Sequence, residues 1–101
     1  MRKLKLRTKI KISETDIKKQ VKEYLDIMSW FSFPILQSLG AFKGIPDRIA
    51  IKNGRILFLE IKRTGGKLSE SQKLFQEKIE KAGGEYYVIH SLDELIKILK
   101  M

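Results

Sequence analysis

Eighteen residues, Ile45 to Lys62, constrain the fold of this chain more than any other stretch. Two runs rich in Ile, Leu and Phe flank Asn53-Gly54, and an Asn-Gly step between apolar runs predicts a β-hairpin closed by a type I′ turn. Such a turn fixes its own register. With Asn53 and Gly54 as the loop, Lys52 faces Arg55, Ile51 faces Ile56, Ile49 faces Phe58, and Asp47 faces Glu60. Directly opposed residues on antiparallel strands have Cβ atoms about 4.5–5.5 Å apart, and like charges placed there repel. Lys62 lies two residues beyond Glu60 and so projects from the same face. Two carboxylates and one ammonium therefore converge at one end of one hairpin face. The arrangement is either a frayed end with Lys62 as a solvated counter-charge, or a divalent-metal site.

The second strand of the hairpin carries Leu57, Leu59 and Ile61 on one side and Ile56 and Phe58 on the other. A strand apolar on both sides is expected to be central and covered on both faces. Glu60 then sits near the interior, where an ionised carboxylate without a partner is expensive, and a cation supplies the missing partner. With no cysteine and one histidine, His90, thiolate and multi-histidine sites are excluded. Oxygen ligands remain, which suit Mg²⁺, Mn²⁺ or Ca²⁺.

A length of 101 residues predicts a single domain over 1–101 with one modest core. The formal charge of +9 points to a polyanionic partner, most simply nucleic acid. No apolar run approaches the roughly 18–20 residues that span a bilayer, and the N-terminus lacks the apolar stretch of a signal peptide, so a soluble, cytoplasmic protein without a membrane partner is expected. In Met1–Ile12, Lys5, Arg7, Lys9 and Lys11 alternate with apolar residues. This reads as a basic N-terminal arm whose cationic face follows phosphates, as an edge strand using lysines against aggregation, or as an arm docked on a second subunit.

Ser13 caps a helix with an apolar series Ile17, Val21, Leu25 and Met28, expected to end near Met28 or Ser29. Glu14 lies within about 20° of the middle of that stripe at about 100° per residue. It either serves the helix dipole or aims inward at the acid pair. Trp30–Leu39 has strand composition broken by Pro34, which suits an edge or irregular strand, and its aromatics are expected in the core. The Gly-bounded loop Gly40–Gly44 presents Lys43, either a phosphate contact or an ordinary surface lysine. Arg63 and Lys67 are further candidates for nucleic-acid contact, the latter in the Thr64–Lys67 loop. Ser69 and Gln72 form a capping-box pattern, yet Gln72 also shares the inward face of Phe75 and Ile79. Gly83-Gly84 ends that helix, Glu85–His90 reads as a strand, and the strand-helix-strand order implies a right-handed crossover to a parallel neighbour. Ser91 and Glu94 form another capping box, opening a final helix whose Leu95, Ile96 and Leu99 face the sheet. His90 is expected to be structural.

Gly44-Ile45-Pro46-Asp47, then Glu60-Ile61-Lys62, then Gln72 within Leu68–Gln72, together resemble the VRR-NUC branch of the PD-(D/E)XK nuclease superfamily, over roughly Ser13 to Leu99. The resemblance implies an α/β, restriction-endonuclease-like core of α-β-β-β-α-β order, with a central mixed sheet flanked by helices. It also implies a deoxyribonuclease in which Asp47, Glu60 and the Ile61 carbonyl hold Mg²⁺ or Mn²⁺, with Glu14 reaching the ion directly or through water. Lys62 would orient or help deprotonate the attacking water, and Gln72 would support the site. Short stand-alone, phage-type members are implied to act as homodimers on branched DNA such as four-way junctions. Two other readings stay open: a catalytically silent DNA-binding module, and a nuclease subunit of a restriction or defence complex that cuts only with a partner.

Overall fold

The Asn-Gly step forms the turn its chemistry dictates: Asn53 and Gly54 take φ of 51° and 81°, the paired positive values of a type I′ turn. The structure, a computed structural model, describes residues 12–36 and 42–101. Lys5, Arg7 and Lys9 of the basic arm, and the end of the Trp30–Leu39 stretch, lie outside the described residues. The elements are α1 (Glu14–Ile27), β1 (Phe31–Pro34), β2 (Arg48–Lys52), β3 (Arg55–Ile61), α2 (Glu70–Lys81), β4 (Glu85–Ile89) and α3 (Leu92–Leu99). One sheet runs β1-β2-β3-β4. The first two pairings are antiparallel, and β3 pairs parallel to β4 across the α2 crossover, as the expected α/β order requires.

The hairpin register agrees with the count from its turn: Lys52 opposes Arg55, Ile51 opposes Ile56, and Ile49 opposes Phe58. Pairing ends at Arg48 and Leu59, so Asp47 stands one residue beyond the ladder. Its backbone still serves the sheet, because the Asp47 carbonyl accepts from the Ile35 N–H at 2.8 Å. The parallel register is pinned at its other end by Arg55, whose Nε and Nη2 donate to the two Glu85 carboxylate oxygens at 2.8 Å each. That forked contact holds the Glu85 pKa down at about 2.

Strand alternation sorts the core. Leu57, Leu59, Ile61 and Ile89 are fully buried on one face with Ile17, Val21 and Leu25 of α1 and Leu95 of α3. Leu99 packs there as expected, joined by Leu92 and Ile98, and with Ile96 it also lines a surface pocket beside Tyr24, Met28 and Trp30. The other face carries Phe58, Glu60 and Tyr86 beneath α2. There Phe75 meets Phe42, Phe58 and Tyr86 at ring-centroid distances of 5.6, 6.2 and 6.3 Å. Cover on this side is thinner than a strand apolar on both faces predicts: α2 buries no residue completely and Ile56 is 46% exposed.

Two further expectations need correction. Trp30 is a core residue, but Phe31 and Phe33 are exposed and pack on each other at 5.4 Å, because β1 is the edge strand and no described helix covers its outer side. The Ser91–Glu94 capping box is half formed. Ser91 Oγ accepts from the Glu94 N–H, while the Glu94 carboxylate reaches one residue further back to the His90 N–H at 2.8 Å.

α1 ends where expected, with Met28 as C-cap. Ser29 adopts φ 65°, which lets the Trp30 N–H close on the Leu25 carbonyl at 2.9 Å in a Schellman arrangement. Both α1 and α2 open with complete capping boxes, from Ser13 with Asp16 and from Ser69 with Gln72.

Gly44 joins the loop before β2 to the start of α2. It has φ 83°, and a Cβ there would lie 2.2 Å from the Ser71 carbonyl oxygen. Gly65 has the same sign of φ but open space around it. Gly44→Ala is therefore expected to cost about 3 kcal/mol or more, the sum of backbone strain and overpacking. Gly65→Ala should cost about 1 kcal/mol. Urea denaturation of both variants measures the gap; equal losses would mean that the Gly44 contact does not shape the loop.

Candidate active site

The β3–α2 face brings a charged side chain into the interior. Glu60 is 3% exposed, and its two oxygens are treated unequally. Oε2 accepts from Gln72 Nε2 at 3.1 Å and lies 3.5 Å from Lys62 Nζ. Oε1 is buried with no hydrogen-bond partner. Burial above all, and then the negative charge of Asp47, push the Glu60 pKa up to about 7 against the opposing pull of Lys62. Asp47 lies past the end of the paired strand, yet its charge still acts on Glu60.

Asp47 is fastened from two sides. Oδ2 accepts from the Ile61 backbone N–H at 2.7 Å, locking the aspartate to the residue that follows Glu60. Oδ1 lies 3.4 Å from Lys18 Nζ, which in turn lies 3.5 Å from Glu14 Oε2. Burial opposes the Lys18 charge, but the Asp47 and Glu14 carboxylates outweigh it and raise its pKa above the ordinary value. Glu14 is thus linked to Asp47 through a lysine rather than gathered beside it.

Lys62 and Gln72 owe their positions to backbone chemistry. The Lys62 N–H donates to the Ile89 carbonyl at 2.9 Å, extending the parallel pairing one residue past β3 and keeping Lys62 on the face of Glu60. Gln72 satisfies both roles its position suggested. Its Oε1 accepts from the Ser69 N–H at 2.9 Å as part of the helix cap, while Nε2 braces Glu60. One amide ties the start of α2 to the buried acid.

The candidate nucleic-acid contacts Lys43, Arg63 and Lys67 are exposed, on the two loops that lead into β2 and into α2. The second loop is pinned by His90, whose Nε2 lies 3.1 Å from the Gly66 carbonyl oxygen and whose Nδ1 lies 3.2 Å from Glu94 Oε1. These contacts agree with a structural histidine.

Two residues of this site were not singled out by sequence reasoning. Lys18 carried a faint signal, being four residues after Glu14 on the same helix face. Tyr86 carried none. Its hydroxyl is buried without a partner, and burial first, then the charges of Glu60 and Asp47, raise its pKa above the ordinary range.

Among the described residues, no group of three or more His, Cys, Asp or Glu side chains surrounds one point. The donor chemistry nevertheless fits a hard divalent cation. Two carboxylates approach one another, and one buried carboxylate oxygen has no partner. An ion of this kind is held by oxygen, with a few protein ligands and water completing its shell. Asp47, Glu60 and the Ile61 carbonyl are the groups that would hold it.

A VRR-NUC domain family model matches residues 13–93. A solved structure described as a VRR_NUC domain is similar with a TM-score of 0.76 and 25% sequence identity, over 86% of this chain and 94% of that one. No curated protein matches the chain.

The raised Glu60 pKa makes stability depend on pH in a direction unusual for a carboxylate. Between the unfolded value near 4.5 and the folded value near 7, the folded protein holds the proton that the unfolded chain has released. Metal-free stability should therefore fall as pH rises through this window, by up to roughly 3 kcal/mol. Glu60→Gln should remove that part of the slope. Urea denaturation at pH 4.5, 6 and 7.5 in EDTA reads the effect, and an unchanged slope in the variant would contradict it.

Proposed function

Because the chain belongs to the VRR-NUC domain family, a nuclease-type domain that acts on DNA, we propose that it is a Mg²⁺- or Mn²⁺-dependent endonuclease of PD-(D/E)XK type. It would hydrolyse DNA phosphodiester bonds at Asp47, Glu60, Lys62 and Gln72. The observation that carries this reading is Glu60, a buried carboxylate pressed against a second acid with one oxygen unpartnered. Isolated buried charge is expensive, and a cation between Asp47 and Glu60 would turn their repulsion into binding energy.

A bound divalent ion would lower the pKa of water and draw charge from the scissile phosphate. The protein's own groups do the rest. The Asp47–Ile61 hydrogen bond and the Gln72–Glu60 brace hold both carboxylates in place before substrate arrives, so no reorganisation is needed at the moment of reaction. Lys62 Nζ, 3.5 Å from Glu60 Oε2, would orient the attacking water, as base or as electrostatic clamp. Lys18, 3.4 Å from Asp47 Oδ1, sets a positive charge beside the site. Lys43, Arg63 and Lys67 offer phosphate contacts on the flanking loops, and the charge of +9 favours a polyanion throughout.

Branched DNA, a four-way junction above all, is the substrate we favour, cut by a homodimer. A junction presents strands in symmetric pairs, one copy offers one site, and a two-fold dimer matches that symmetry. A silent binding module has less support, since a phosphate binder gains nothing from a buried acid beside a second one. No helix among the described residues is long and apolar enough to cross a membrane.

Labelled linear duplex, flap and four-way junction, incubated with the protein in Mg²⁺, Mn²⁺ or EDTA, provide the test. Product should form only with metal and most rapidly on the junction. Glu60→Gln and Lys62→Ala should each lower the rate by on the order of 10²- to 10⁴-fold. Binding without cleavage of any substrate in either metal would overturn the enzyme reading.

A further inference from the structure

Tyr86 is the buried polar group that the proposed mechanism leaves unused. It is 3% exposed, and its hydroxyl and Glu60 Oε1 are the two buried side-chain atoms without a hydrogen-bond partner among the described residues. The register brings them together. Phe58 opposes Tyr86 and Glu60 opposes Val88 across the parallel β3–β4 pair, so Tyr86 and Glu60 project from the same face of adjacent strands, two positions apart. Neighbouring strands are about 4.8 Å apart with a rise of about 3.3 Å per residue, within the span of a phenol ring. Phe75 packs over the Tyr86 ring at 6.3 Å and excludes bulk solvent from this side. The fields of Glu60 and Asp47 both act on the hydroxyl.

We propose that Tyr86 is a positioning residue of the acid pair, with its hydroxyl donating to one buried water that in turn donates to Glu60 Oε1. The inference rests on the reading of Asp47 and Glu60 as the cation-binding acids. The hydroxyl makes no direct bond, so a bridge is required if neither orphan is to remain unsatisfied, and buried waters occupy such polar gaps. A carboxylate oxygen has two lone-pair directions, so Oε1 can accept from this water and still face an ion. Glu60 would then be held on three sides: Lys62 and Gln72 at Oε2, and Tyr86 through water at Oε1. Only the last contact reaches the oxygen left open, so it sets how that oxygen is aimed.

Two measurements test this. An atomic-resolution crystal structure of the metal-free protein should show a water bonded to both Tyr86 Oη and Glu60 Oε1; a hydroxyl bonded to another protein acceptor, or no water between the two, would overturn the proposal. Calorimetric titration with Mn²⁺ provides the second. Tyr86→Phe keeps the ring under Phe75 and removes only the hydroxyl, and it should weaken Mn²⁺ binding by about tenfold or more, the usual effect of losing a group that orients a ligand. Tyr87→Phe is the control, because the Tyr87 hydroxyl donates to Glu85 away from the site, and it should bind Mn²⁺ as the parent does. Parent-like Mn²⁺ affinity in Tyr86→Phe would also overturn the positioning role. If the parent itself takes up no Mn²⁺, the cation reading of the acid pair fails, and the crystallographic water decides the Tyr86 contact by itself.

Discussion

A carboxylate buried against a second carboxylate is the interaction on which this structure turns. Glu60 is nearly inaccessible to solvent, and its burial together with Asp47 holds its pKa near 7. Nothing in ordinary packing favours that arrangement, since two acids at close range destabilise a fold unless protonated or joined by a cation. The surrounding contacts accommodate the pair and do not remove its cost. Lys62 and Gln72 serve one oxygen of Glu60, Ile61 and Lys18 serve the two oxygens of Asp47, and one oxygen stays open. Strain of this kind, retained in an otherwise well-capped and well-packed domain, is what the proposed function rests on.

The fold keeps the pair together by local means. A tight turn sets the hairpin register, Asp47 continues the β1–β2 pairing through its carbonyl, and its side chain clamps the Ile61 N–H across the strand end. α2 is then brought over the acids by Gly44, which lies close against the Ser71 carbonyl, and by Gln72, which caps the helix and braces Glu60 with the same amide. The two faces of the sheet divide the labour. The side under α1 and α3 holds the apolar core, and the side under α2 is thinner and polar enough to hold charge next to aromatic rings.

Much of this was legible in the sequence because short-range rules govern it. Asn53-Gly54 dictates a register, a register dictates which residues face each other, and helical periodicity turns Gln72 toward the core. The placement of Tyr86 on the face of Glu60 was not legible. β3 and β4 are joined by a helical crossover, and a crossover, unlike a tight turn, leaves the parallel register uncounted. Lys18 was missed because a contact from a helix to a strand end depends on how the helix crosses the sheet. The exposure of Phe31 and Phe33 was missed because Pro34 points to an edge strand without showing whether a helix covers its outer side. Glu14 shows the same limit: its helical angle placed it near the buried stripe, yet Lys18 stands between it and Asp47.

Thermal unfolding against divalent-cation concentration tests the central claim most directly, because a ligand bound only by the folded state raises the melting temperature with the logarithm of its concentration. At neutral pH, Mg²⁺ or Mn²⁺ should raise the melting temperature of the parent progressively, and the rise should vanish in Glu60→Gln. A parent that melts at the same temperature with and without either cation, or a Glu60→Gln variant stabilised as strongly as the parent, would contradict the assignment of Asp47 and Glu60 as a cation site.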